Sequence, residues 1–174
     1  MRIAIVGNVG SGKSTLAREL QLLLSLPLYH LDQYFWKPGW QEPDRAVFEK
    51  VHNALCDQDA WIIEGMAIRF ASYRFAKADI IIFLDVPRYR CFWRMFKRAV
   101  LHFGTVYFSS APGCPERGPS IKLLKFMWQF KYKQRVMVQR LFEQYKNNKQ
   151  LYVLTHDNQK KAIITSIVNS IKRN

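Results

Sequence analysis

The chain has 174 residues, 49% hydrophobic and 23% charged, which suits one folded domain with a substantial core and excludes a disordered chain. Its formal net charge of +14 is concentrated: residues 88–149 hold 14 Lys/Arg against 2 Asp/Glu, whereas residues 1–87 hold 9 against 10. Such a segment suits a phosphate-rich ligand, nucleotide or nucleic acid, with a solubilising cationic face as the plainer alternative.

In chain order, "RIAIV" reads as a short buried strand and "KSTLARELQLLLS" as a helix, with Leu16, Leu20, Leu23 and Leu24 at helical spacing. "LPLYHLD" reads as a second strand ending near Asp32. Pro43 and Asp44 open a helix with Val47, Val51 and Leu55 on one face. "AWIIEG" and "ADIIIFLD" are apolar without alternation, as strands covered on both faces are. A basic helix runs from about Arg88 to Phe103, with Phe92, Met95, Phe96, Ala99 and Val100 as its apolar side. "FGTVYFSSAPGCPERGPS" is a loop, and a helical stretch covers about Ile121 to Lys146. "QLYVLT" is the last strand, and Ile163, Ile164, Ile167 and Ile171 mark a closing helix. Five strands alternating with helices predict an α/β fold: a parallel sheet covered on both faces, in one domain spanning 1–174.

No apolar run approaches the roughly 20 residues of a membrane helix, and "IAIV" is too short for a signal-peptide core. Cys56, Cys91 and Cys114 are dispersed without CxxC pairs, so reduced thiols are expected rather than disulfides or zinc. The expectation is a soluble cytoplasmic monomer with no membrane partner.

The sharpest signal is "GNVGSGKS". Gly7, Gly12, Lys13 and Ser14 fit G-x-x-x-x-G-K-[ST] between a strand and a helix, the setting of a triphosphate loop. Phosphates need backbone N–H donors at close range, and side chains at Gly7, Gly10 and Gly12 would obstruct that wrap. The nucleotide set is Gly7, Asn8, Val9, Gly10, Ser11, Gly12, Lys13, Ser14 and Thr15, with Lys13 toward the β- and γ-phosphates and Ser14 toward Mg²⁺. A dinucleotide reading fails because Thr15 stands where a third Gly or Ala is needed.

Ligands of an open parallel sheet lie beyond the carboxyl ends of its strands, where Asp32, Glu64 and Asp85 are expected. Each is a candidate for Mg²⁺-bound water or for orienting an acceptor, and Asp85 has a turn-forming alternative beside Pro87. Arg90, Arg94 and Arg98 form one helix stripe, and Arg135 and Arg140 add cations further on. Arginine forks stabilise a transferring phosphoryl group, so Arg94 and Arg98 are expected to serve catalysis more than folding. The catalytic set is thus Lys13, Asp32, Arg94 and Arg98; Arg94, Arg98 and Arg135 join the nucleotide set, and Ser14, Asp32 and Glu64 the metal set. Loop 104–119 is placed to close over the nucleotide and exclude water. In "YFWKPGW", Trp36 and Trp40 are open to base stacking or to plain packing. The four histidines, dispersed without metal spacing, receive no role.

The P-loop, "LDQYFWKPGW", "WIIEG", "IIIFLDVPRYRCFWRMFKR" and "GCPER" together resemble the bacterial DNA topology modulation proteins, small relatives of adenylate kinase and shikimate kinase. The resemblance covers roughly Arg2 to Arg140. It implies a nucleoside-monophosphate-kinase type of P-loop fold, with a lid and lid arms at about 88–140. It also implies that Arg94 and Arg98 embrace base and phosphates, and that Asp32 falls near the substrate aspartate of shikimate and gluconate kinases. Where relatives tend to read "DGN", this chain reads "EGM" at Glu64 to Met66, and its lid lacks the four cysteines of zinc-bearing adenylate kinases. The leading expectation is an ATP- and Mg²⁺-dependent kinase of a nucleoside, nucleotide or hydroxylated metabolite. The alternative is a nucleic-acid-associated NTPase gripping phosphates through segment 88–149, although no known nucleic-acid-binding signature is evident.

Overall fold

In the computed structural model, which describes residues 1–172, five parallel strands form one sheet in the order β2-β3-β1-β4-β5. The strands are β1 (Arg2–Gly7), β2 (Leu28–His30), β3 (Trp61–Glu64), β4 (Ile80–Leu84) and β5 (Gln150–Leu154). The apolar runs of β3 and β4 are buried throughout. One face, through Ile3, Ile5, Ile62, Ile80 and Ile82, packs on α1 (Lys13–Leu24), α5 (Arg88–Leu101) and α8 (Gln159–Lys172). The other, through Ala4, Val6, Ile63, Ile81 and Phe83, packs on α3 (Arg45–Cys56), α4 (Ala71–Lys77) and α7 (Gln134–Tyr145). The short α2 (Leu31–Phe35) and α6 (Ile121–Gln129) complete the helices. All three cysteines are buried free thiols, as expected.

Several sequence expectations shift. β2 ends at His30, so Asp32 stands in the first turn of α2. Asp44 does cap α3, accepting from the Ala46 N–H at 2.8 Å, but Phe48, His52 and Leu55 form its buried face and Val47 is exposed. Leu23 is exposed in the last turn of α1. In α5 the buried residues are Cys91, Met95 and Ala99, leaving Phe96 and Val100 in solvent. The Ile171 side chain lies outside the described residues, while Ile163 and Ile167 are buried as expected.

The stretch read as one helix from Ile121 to Lys146 breaks into α6 and α7 at Phe130–Lys133. No Pro or Gly marks the break. Met127 is buried in the core on one face of the sheet and Phe130 in the core on the other, so the chain must cross the sheet end between them. A straight helix cannot bury both.

Candidate active site

The loop after β1 is tied to its surroundings on three sides. The Ser11 N–H donates to the Asn8 carbonyl at 3.1 Å, and the buried Asn8 side chain donates to the Met127 carbonyl of α6 at 3.2 Å. Gly12 caps α1 with φ +97°. Gly10 has φ +75°, and a Cβ there would stand 2.3 Å from the Cys91 carbonyl oxygen. Gly10 is thus fixed by contact with α5 as well as by its own backbone angle. Gly10→Ala should cost roughly 2–3 kcal/mol, combining left-handed strain with a backbone clash. Urea denaturation of the variant checks this, and parental stability would show that loop and α5 separate freely.

Two cations reach the same loop. The Lys13 Nζ donates to the Asn8 carbonyl at 3.1 Å, and Arg94 donates through Nη1 to the Ser11 carbonyl at 3.3 Å. Arg94 Nη1 would lie 3.6 Å from a Cβ on Gly12, and Nη2 pairs with Asp157, in the turn after β5. Arg90 approaches the same carboxylate at 3.9 Å.

The strand order brings the carboxylates beside this loop. β3 lies between β2 and β1, so Glu64 is level with His30 on one side and Ile5 on the other. Its Oε1 accepts from the Ser14 hydroxyl at 2.9 Å and faces His30 Nδ1 at 2.7 Å. Burial pushes the Glu64 carboxyl up, but the His30 hydrogen bond, Lys13 and Ser14 outweigh it, and the net shift is down. An ionised Glu64 only accepts, so His30 Nδ1 is the donor. Behind this group the fully buried Arg74 donates to the Gly65 and Met66 carbonyls at 3.0 and 3.4 Å, fixing the "EGM" turn. Burial lowers that guanidinium to about 10.

Asp32 joins the group from α2. Its surface reaches solvent while crevice walls surround it, and those walls, then the negative Glu64, raise its carboxyl above the ordinary 3.8 against Lys13, Arg98 and His30. Lys13, Ser14, Asp32, Glu64, Arg94 and Arg98 therefore converge on one crevice. Asp85 does not join them in the same way. Arg135, expected as a nucleotide ligand, donates through Nε to both Asp85 oxygens at 2.9 and 2.8 Å and pins α7 to the end of β4. The pair lines a cleft of about 460 Å³ that reaches Asn8. Arg140 is exposed.

Segment 102–120 is fastened over the region after β2. The Gly39 N–H donates to the Gly113 carbonyl at 2.8 Å, Trp40 Nε1 to the Pro115 carbonyl at 2.9 Å, and Gln33 Nε2 to the Phe108 carbonyl at 2.9 Å. Phe108 meets the His30 ring edge-on at 5.6 Å, and the Arg18 guanidinium lies 5.2 Å from the Phe108 ring. Trp40 thus anchors segment 102–120, and Trp36 packs against it at 5.7 Å, favouring packing over base stacking for both.

Arg98 has a second task. It pairs at 3.3 Å with Glu116, which is buried and also accepts from the Ser110 hydroxyl. Removing Arg98 leaves that carboxylate uncompensated. Arg98→Ala should destabilise the chain by about 2 kcal/mol, discounted from a fully buried pair because Arg98 keeps some solvent contact. Thermal unfolding checks it, and an unchanged midpoint would return Arg98 to a purely catalytic reading.

Sequence reasoning missed His30, Glu116 and Asp157. Asp157 carried a usable signal, a carboxylate just past the last strand, the rule that selected Asp32, Glu64 and Asp85.

The fold has counterparts among solved structures. Shikimate kinase from Acinetobacter baumannii, in complex with shikimate, superposes with a TM-score of 0.62 at 18% identity, covering 99% of this chain and 93% of that one. Shikimate kinase from Aquifex aeolicus gives 0.56 at 15% identity, covering 100% and 98%. Deoxyadenosine kinase from M. mycoides with bound dCTP gives 0.52 at 16%, covering 98% and 100%. The fold is that of the P-loop kinases. No protein-family model and no curated protein matches the chain, so the resemblance to the DNA topology modulation proteins rests on its sequence motifs alone. Among the described residues no helix is long and apolar enough to cross a membrane.

Proposed function

We propose that this chain is a Mg²⁺-dependent phosphotransferase that moves the γ-phosphoryl group of ATP to the hydroxyl of a small acceptor. One observation carries the reading: Lys13 and Arg94 bond the phosphate loop at Asn8 and Ser11, while Ser14 in the first turn of α1, Glu64 at the end of β3 and Asp32 in the first turn of α2 stand beside it. The loop N–H groups and the N-terminus of α1 receive the phosphates. Lys13, Arg94 and Arg98 offset charge on the transferring oxygens.

The donor set fits magnesium. Ser14, Glu64 and Asp32 offer oxygen only, which a hard, octahedral cation prefers. When bound, Mg²⁺ supplies charge neutralisation at the β- and γ-phosphates.

Asp32 is the acceptor residue of this reading. A raised carboxyl pKa brings it closer to the range in which a carboxylate takes a proton at neutral pH. The names of the solved relatives, shikimate kinase and deoxyadenosine kinase, denote hydroxyl-bearing compounds, which supports an alcohol acceptor. The lid segment, anchored through Trp40 and Gln33, keeps water from competing as acceptor. The test is ADP release from Mg-ATP across nucleosides, nucleoside monophosphates and small hydroxy acids. One alcohol class should accelerate release well above the water background. Intact ATP binding with no acceleration by any of them would reduce the chain to an ATP-binding scaffold.

A further inference from the structure

Helix α5 has three faces. Cys91, Met95 and Ala99 are buried, and the Arg90, Arg94 and Arg98 stripe faces Asp157, the phosphate loop and Glu116. The third face is apolar and unpartnered. Tyr89, Trp93, Phe96 and Val100 repeat at i, i+4, i+7 and i+11, and they are 66%, 67%, 55% and 62% exposed. Helix α6 extends this surface. Its Trp128, also more than half exposed, meets Phe92 at 6.5 Å, and the Arg88 guanidinium lies 3.9 Å from the Trp128 ring. Single exposed hydrophobics need no explanation, but four in a helical row beside a fifth mark an interaction surface.

Charge selects the occupant. Neither α5 nor α6 carries an Asp or Glu, and apart from the stripe turned to Asp157, the phosphate loop and Glu116 they hold Arg88, Lys97, Lys122 and Lys125. A second copy would set the cations beside this row, Arg88, Lys97 and Lys125, against the same cations. Duplex nucleic acid would match the charge but would leave the aromatic row uncovered. An aromatic stripe bordered by arginine and lysine is the pattern of a helix lying in a lipid interface, with rings at headgroup depth and cations on anionic headgroups. We propose that the outer face of α5, extended by Trp128, docks on the surface of an anionic lipid bilayer. The sequence-based expectation of no membrane partner rested on the lack of a spanning run, and a separate reading put Phe96 and Val100 on the apolar side of the helix. The structure puts both side chains in solvent. The α5 helix, 14 residues and so about 21 Å long, would lie in the membrane plane.

The test uses the full chain with vesicles of phosphatidylcholine plus phosphatidylglycerol and with vesicles of phosphatidylcholine alone. Co-sedimentation should be at least about tenfold stronger with the anionic vesicles, and tryptophan emission should shift to shorter wavelength on binding. The double variant Trp93→Ser, Phe96→Ser should lose that binding about tenfold or more while keeping the parental unfolding midpoint and ATP affinity, since both side chains are exposed and outside the crevice. Equal vesicle binding by parent and double variant would overturn the proposal, as would no preference for anionic lipid. Two further outcomes would replace it. One is concentration-dependent self-association, abolished by the same substitutions, in a chain that ignores vesicles. The other is duplex DNA binding that depends on Trp93 and Phe96 where vesicle binding does not.

Discussion

Lys13→Ala should lower ATP-dependent turnover by about 10²–10³-fold while leaving the chain folded. The ammonium is the point charge nearest the phosphate loop, held at 3.1 Å from the Asn8 carbonyl, and alanine leaves nothing in its place. The structural cost is small, about 1 kcal/mol or less, because the Asn8 carbonyl that loses Lys13 still accepts from the Ser11 N–H. Calorimetric titration with ATP and a thermal melt separate the two effects. Lost affinity with a parental melting curve fits the proposed site. Parental ATP affinity in the folded variant would move the nucleotide elsewhere.

Asp32→Asn should reduce phosphoryl transfer roughly 10²-fold or more while changing ATP affinity much less. The variant keeps shape and loses the charge that orients a hydroxyl and takes its proton. If Asp32 works instead through Mg²⁺-bound water, the variant will need more Mg²⁺ and excess Mg²⁺ will partly restore the rate. Full activity at limiting Mg²⁺ would remove Asp32 from both roles and leave Glu64 as the acting carboxylate. Stability should move the opposite way. The Asp32 carboxyl is raised above its ordinary 3.8 by the crevice walls and by Glu64, so the folded chain binds this proton more tightly than the unfolded one. The ionised side chain therefore opposes folding once the pH exceeds the raised value, and this cost fades as pH falls below it. Asp32→Asn should accordingly be more stable than the parent at pH 7, with the difference shrinking toward zero as the pH falls below about 4. A variant less stable than its parent at pH 7 would show that Asp32 is held by favourable contacts instead.

The amino-acid sequence by itself determined the parts of this protein whose physics is local. The strand, Gly-rich loop and helix around Gly7–Ser14 are set by backbone angles and by Lys13 and Ser14 within a few residues of each other. The unalternating runs of β3 and β4 announced strands buried on both faces, and so a parallel sheet. Glu64 was legible because the end of β3 can be read from its run, and Asp32 because it lies two residues past the end of β2. What needed the tertiary structure depends on which distant segments become neighbours. Glu64 meets His30 and Ser14 only because β3 is inserted between β2 and β1, a strand order that no local pattern encodes. Arg98 takes on a structural role through Glu116, 18 residues away in segment 102–120. The buried face of α5 was undecidable from spacing, since apolar side chains occupy two of its sides. The close approach of Gly10 to the Cys91 carbonyl decided it, because small residues at positions 91 and 99 let the helix press on the phosphate loop and turn Phe96 and Val100 outward.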